Sequence, residues 1–122
     1  MTADLQTFAA HRVFGVSAIT ALTVQSTLGV SAVETVSPRF LRQTLDTLEA
    51  DLPAQGIKIG MLGSAAIAAE VAAFLADKPG IPTVLDPILR SSSGAALLEP
   101  EGLKATVLTS VFRRMSSPWE RM

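Results

Sequence analysis

Ile57-Lys58-Ile59-Gly60-Met61-Leu62-Gly63-Ser64 sits at the middle of the chain and decides how the rest is read. An apolar run bounded by Gly56 and by Gly63-Ser64 has the length and composition of a buried strand, expected over residues 57–62. A glycine turn follows, and then an alanine-rich helical pattern over residues 64–77. Ser64 is placed as its N-cap, with Ile67, Val71, Phe74 and Leu75 turned inward. Lys78-Pro79-Gly80 closes that helix. A strand, a tight turn and a helix N-terminus make a recurring seat for small anions, because the first helical N–H groups have no partner. Most such junctions bind nothing, so the surroundings carry the argument.

Upstream, Ser37-Pro38 is a helix start, with serine as N-cap and proline at the first position. Leu41, Leu45, Leu48 and Leu52 recur at helical spacing until Pro53. Before it, residues 13–24 are rich in β-branched side chains and predict a strand, with Gln25-Ser26-Thr27 as a polar step at its carboxyl end. Residues 28–36 predict another short extended segment. Residues 3–11 predict a helix with Leu5, Phe8 and Ala9 on one apolar face and His11 exposed at its end. Downstream, Thr83-Val84-Leu85 is a further short strand running into Asp86-Pro87.

Strands and helices alternating at these spacings imply parallel strands joined by right-handed crossovers, an α/β layer fold. In open sheets of that kind, ligands sit beyond the carboxyl ends of the strands. Three polar or small-residue clusters fall at such ends: Gln25-Ser26-Thr27, Gly60-Met61-Gly63-Ser64, and Asp86 with residues 90–94. If the strands are neighbours, the clusters share one rim. Beyond it, Glu99-Pro100-Glu101 can open a helix, residues 105–109 read as a strand, and the arginine-containing tail from Ser110 shows no period.

Composition narrows the classes. The chain has 122 residues, 48% of them hydrophobic and with a net charge of −1, which suits one domain with a packed core and gives no electrostatic case for nucleic acid. The absence of cysteine removes disulfides and thiolate metal sites, and the single His11 excludes a histidine-rich zinc site. No stretch is apolar enough to span a bilayer, and the first residues lack the basic and apolar regions of a signal peptide. A cytoplasmic location without membrane association is expected.

Each candidate side chain has two readings. The Gln25 amide donates and accepts, which suits the edge of a heterocyclic base, though a solvated turn is the commoner use of such a residue. Met61 is a soft, polarisable wall for a flat ring, or ordinary core filling. Asp86 suits a phosphate-bound metal or a turn. Arg90 with Ser91, Ser92, Ser93 and Gly94 offers phosphate donors, or forms a surface loop. Lys58, inside an apolar strand, either snorkels to the surface or pairs with a carboxylate such as Asp86.

Together, residues 3–10, residues 17–27, Val30, residues 58–64 and Val84-Leu85-Asp86-Pro87, in this order and spacing, resemble the hydroxymethylpyrimidine/phosphomethylpyrimidine kinase family of thiamine biosynthesis. Ser93-Gly94 and Leu97-Leu98 extend the similarity to about Lys104. The resemblance implies a partial ribokinase-like three-layer α/β/α fold with a mainly parallel sheet over residues 1–104, and a divergent tail over residues 105–122. It implies ATP-dependent phosphorylation of 4-amino-5-hydroxymethyl-2-methylpyrimidine and then of its monophosphate, with magnesium. By position, Gln25 looks like the residue that bonds the aminopyrimidine, Met61 and Ile88 like walls of the ring pocket, and Asp86 and Arg90 like the phosphate and metal vicinity.

The family's glycine-rich opening turn and its anion-hole segment, with the catalytic residue and most of the ATP site, are not found here. The expectation is therefore a truncated product, inactive alone, with exposed strand edges that favour pairing with a second copy or a full-length relative. A non-catalytic pyrimidine binder and a pyridoxal-kinase-like fragment are the alternatives.

Overall fold

A computed structural model describes residues 1–86. In chain order the elements are α1 (Thr2–Ala10), β1 (Ala21–Ser26), β2 (Gly29–Thr35), α2 (Pro38–Asp51), β3 (Ile57–Ile59), α3 (Ala65–Ala76) and β4 (Thr83–Leu85). Ile88, Arg90, the serine loop, the helix expected at Glu99 and the strand expected at residues 105–109 lie outside the described residues.

The two central helices start where their side chains dictate. Ser37 Oγ accepts the Phe40 N–H at 3.1 Å, and Pro38 occupies the first turn of α2. Ser64 Oγ accepts the Ile67 N–H at 3.2 Å at the start of α3. Between these starts, β3 and β4 pair in parallel, with Ile57 opposite Thr83, Lys58 opposite Val84 and Ile59 opposite Leu85. β3, α3 and β4 therefore form the expected parallel crossover unit.

Alternation along β3 separates its faces. Ile59 is buried and Ile57 packs with it against Leu41, Leu62, Ile67, Ala68, Val71, Ala72 and Leu75, the core shared with α2 and α3. Leu41 is only 1% exposed, so the leucine spacing of α2 is used as the sequence implies. Lys58 points from the opposite face, where Asp4 of α1 meets it at 2.7 Å. α2 and α3 thus pack on one face of the parallel pair, and α1 meets the other face through this ion pair.

The α2–α3 contact ends in a charged clasp. Phe74 is buried, with Arg42 Cζ 5.9 Å and Lys78 Nζ 4.8 Å from its ring centroid, both within cation–π range. Arg42 also bonds Asp46 at 2.9 Å, and Lys78 reaches Glu49 at 2.9 Å.

In the first half, α1 and β2 match the helix expected over residues 3–11 and the extended segment expected over residues 28–36, while the strand expected over residues 13–24 departs from expectation. Residues 13–19 form no strand, and β1 begins only at Ala21. Arg12 adopts a positive φ of 59°, and the chain then turns back along α1, with Gly15 set against Phe8 and Leu5. A β-branched composition makes a strand only where a ladder partner exists. Here β2 pairs Thr35 with Ala21, and Ser37-Pro38 then opens α2, leaving nothing to pair with residues 13–19. β1 also pairs antiparallel with β2 as a separate two-stranded sheet, so it is not a neighbour of β3.

Candidate functional site

Of the expected clusters, Gly60-Met61 and Asp86 share a rim, residues 90–94 lying outside the described residues. The Asp86 N–H donates to the Ile59 carbonyl at 2.8 Å, so the ends of β3 and β4 are level and Gly60-Met61 lies beside Asp86. The third cluster, around Gln25, is not itself at that rim: it stands near the tip of the β1–β2 hairpin, and only the foot of the hairpin meets the rim. The foot of the β1–β2 hairpin sits on the turn after β3, through a contact between hairpin and loop rather than through sheet pairing.

Gly63 makes the seat. Its φ is +80°, and a Cβ there would lie 2.8 Å from Thr35 Cγ2 and 3.5 Å from Ala21 Cβ. Only glycine serves both the turn and the close approach. The Thr20 hydroxyl, just before β1, donates to the Met61 carbonyl at 2.6 Å. Met61 itself is half-buried.

Gln25 stands near the hairpin tip, exposed, opposite Val30. The ladder slips between Val24 and Gln25, because Ser31 is an extra residue on β2. Ser31 Oγ donates to the Val24 carbonyl at 3.1 Å. The extra residue is on β2, so alternation along β1 is unbroken. Ala21, Thr23 and Gln25 share one face, and Ala21 on that face meets Gly63.

At the far side of the rim, Lys58 Nζ lies 2.7 Å from Asp4 Oδ1 and 3.7 Å from Asp86 Oδ2. The pairing of Lys58 with Asp86 was legible from sequence; the shorter one to Asp4 was not. The hydrogen bond from Lys58 holds the Asp4 carboxyl below its ordinary pKa. Among the described residues, no group of three or more His, Asp or Glu side chains is placed to hold a metal ion, and Asp4 and Asp86 both face an ammonium.

Sequence reading missed Thr20, Thr35 and Asp4. Thr20 contacts a residue 41 positions away, and nothing in its own neighbourhood signals that.

With this geometry in view, likeness to known proteins becomes decisive. The sequence profile of the phosphomethylpyrimidine kinase family matches residues 1–114. The chain belongs to that family. It is 45% identical over 103 residues to the hydroxymethylpyrimidine/phosphomethylpyrimidine kinase of Haemophilus influenzae, covering 84% of this chain and 38% of that protein. It is 41% identical over 116 residues to the protein of the same name from Synechococcus elongatus, covering 88% and 44%. A crystal structure of phosphomethylpyrimidine kinase from Clostridium difficile 630 superposes with a TM-score of 0.72 at 39% identity, over 80% of this chain and 42% of that one. The chain thus spans less than half the length of each of these relatives. No helix among the described residues is long and apolar enough to cross a membrane.

Proposed function

We propose that this chain carries the pyrimidine-recognising part of a phosphomethylpyrimidine kinase domain and does not transfer phosphate on its own. Family membership across residues 1–114 is the observation that carries the reading. In it, the Gln25 amide bonds the ring edge of 4-amino-5-hydroxymethyl-2-methylpyrimidine and the Met61 thioether lies along the ring face. Support comes from the half-buried position of Met61 and from the Gln25-bearing face of β1, the one turned toward Gly63. Ile88 extends the ring wall in the same reading.

ATP is the donor expected of a kinase family. In the same reading, Asp86 and Arg90 serve the phosphates. Magnesium would arrive with the nucleotide phosphates, since it is commonly held by one or two carboxylates together with phosphate oxygens and water. Phosphoryl transfer depends on positioned groups that stabilise charge on the transferring phosphate.

The test uses the purified chain. Calorimetry with the aminopyrimidine should give a binding isotherm that Gln25→Ala abolishes, and pyridoxal should give none. An ATP-dependent assay should show no phosphorylated product. Turnover at an ordinary enzymatic rate overturns the claim of inactivity; absence of binding overturns the recognition role.

A further inference from the structure

The β1–β2 hairpin projects from the molecule, and its attachment is narrow, with Val36 just past the end of its second strand packed against the core of α2, β3 and α3. All its residues beyond Ala21, Gly29 and Val30 are exposed, up to Leu28 at 93% at the tip. Among the described residues, one hydrogen bond joins residues 20–36 to the layer of β3 and α3: the bond from Thr20 Oγ1 to the Met61 carbonyl. Thr20 also closes the hairpin from below, its carbonyl accepting the Val36 N–H at 3.1 Å. One residue thus fastens the foot of the hairpin and ties that foot to the turn.

We propose that Thr20 is a positioning residue whose hydroxyl, bonded to the Met61 carbonyl, sets the angle of the hairpin and so brings Gln25 to a pyrimidine lying against Met61. The contact of Gly63 with Ala21 and Thr35 is a fulcrum: it limits approach but has no directional bond of its own. The Thr20 hydroxyl supplies the direction, because a hydrogen bond weakens steeply away from linearity. Without it the hairpin rocks on Gly63, and only part of its population presents Gln25 correctly. Apparent affinity falls by that fraction.

The proposal rests on the pyrimidine-recognition reading, and a ligand-free distance measurement separates the two. The native chain has no cysteine, so Leu28→Cys at the tip and Ala66→Cys on α3 accept spin labels at two defined places. Electron–electron resonance should give a narrow distance distribution with Thr20, the same with Thr20→Ser, and a broadened one with Thr20→Val, which keeps the shape and removes the donor. Thr20→Ala repeats the deletion without the branch. Aminopyrimidine affinity should fall roughly three- to tenfold in Thr20→Val, as for loss of one net hydrogen bond, and recover in Thr20→Ser. Broadening in a chain that binds no pyrimidine supports the positioning role and overturns only the recognition reading. An unchanged distribution in Thr20→Val overturns the proposal. So does failure of both Thr20→Val and Thr20→Ala to fold, which would make Thr20 a stability residue.

Discussion

The β1–β2 hairpin and the α2–β3–α3 layer both carry many apolar residues and are held in opposite ways. In the layer, Leu41, Ile67 and their neighbours are buried, and Phe74 lies between two cations that are themselves paired. In the hairpin, Leu22, Val24 and Leu28 face solvent, and the foot is held to the layer by one hydroxyl and by apolar contacts at Gly63 and Val36. Local stability follows buried contact. The layer is a rigid platform and the hairpin an arm mounted on it.

The sharpest test of that contrast is a pair of truncations. Leu41→Ala should lower unfolding free energy by about 2–5 kcal/mol, while Leu28→Ala stays within about 0.5 kcal/mol, both read from urea midpoints. Equal losses would break the distinction. Next comes Gly63→Ala, which forces an L side chain into positive φ and against Thr35. A loss of about 1–3 kcal/mol is expected. Amide hydrogen exchange should show the hairpin loosened further while α2 and α3 keep their protection, and uniform loss would mean that arm and platform unfold as one. Ser37→Ala and Ser64→Ala, which remove the two N-caps, should each cost about 1 kcal/mol, with Ser37→Gly costing less.

The smallest effect is electrostatic. The Asp4 carboxyl is depressed below 3.8 by Lys58, so the pair contributes stability above that pH and loses it as pH falls through the folded-state value. Lys58→Met should therefore be less stable than the parent at pH 7, with the gap narrowing as pH falls below 3.8. A constant gap across that range would assign the loss to packing of the lysine stem instead.

What sequence could show divides along the same line. Ser37-Pro38, the leucine spacing and Ser64 report local rules of helix starts and faces, and the layer obeys them. The parallel crossover of β3 and β4 followed from the alternation of elements. The hairpin was misread because β-branching says that a strand is favourable, not where its partner lies. Residues 13–19 had the composition without the partner. Gln25 and Met61 were nameable as types, but Thr20 and Asp4 were not, since their roles are contacts across the chain with no local mark.

The mounting of the hairpin has a mechanical corollary. At about 3.3 Å per residue, Gln25 stands roughly 15 Å out from Thr20. On an arm of that length, a rotation of about 10° at the foot carries the amide some 2.5 Å sideways, nearly the length of a hydrogen bond. Holding it within about 0.5 Å, the tolerance of a working site, leaves an angular play of roughly 2°. Leverage of this kind turns a single threonine hydroxyl, far from any ring atom, into a fine adjustment for the grip at the other end.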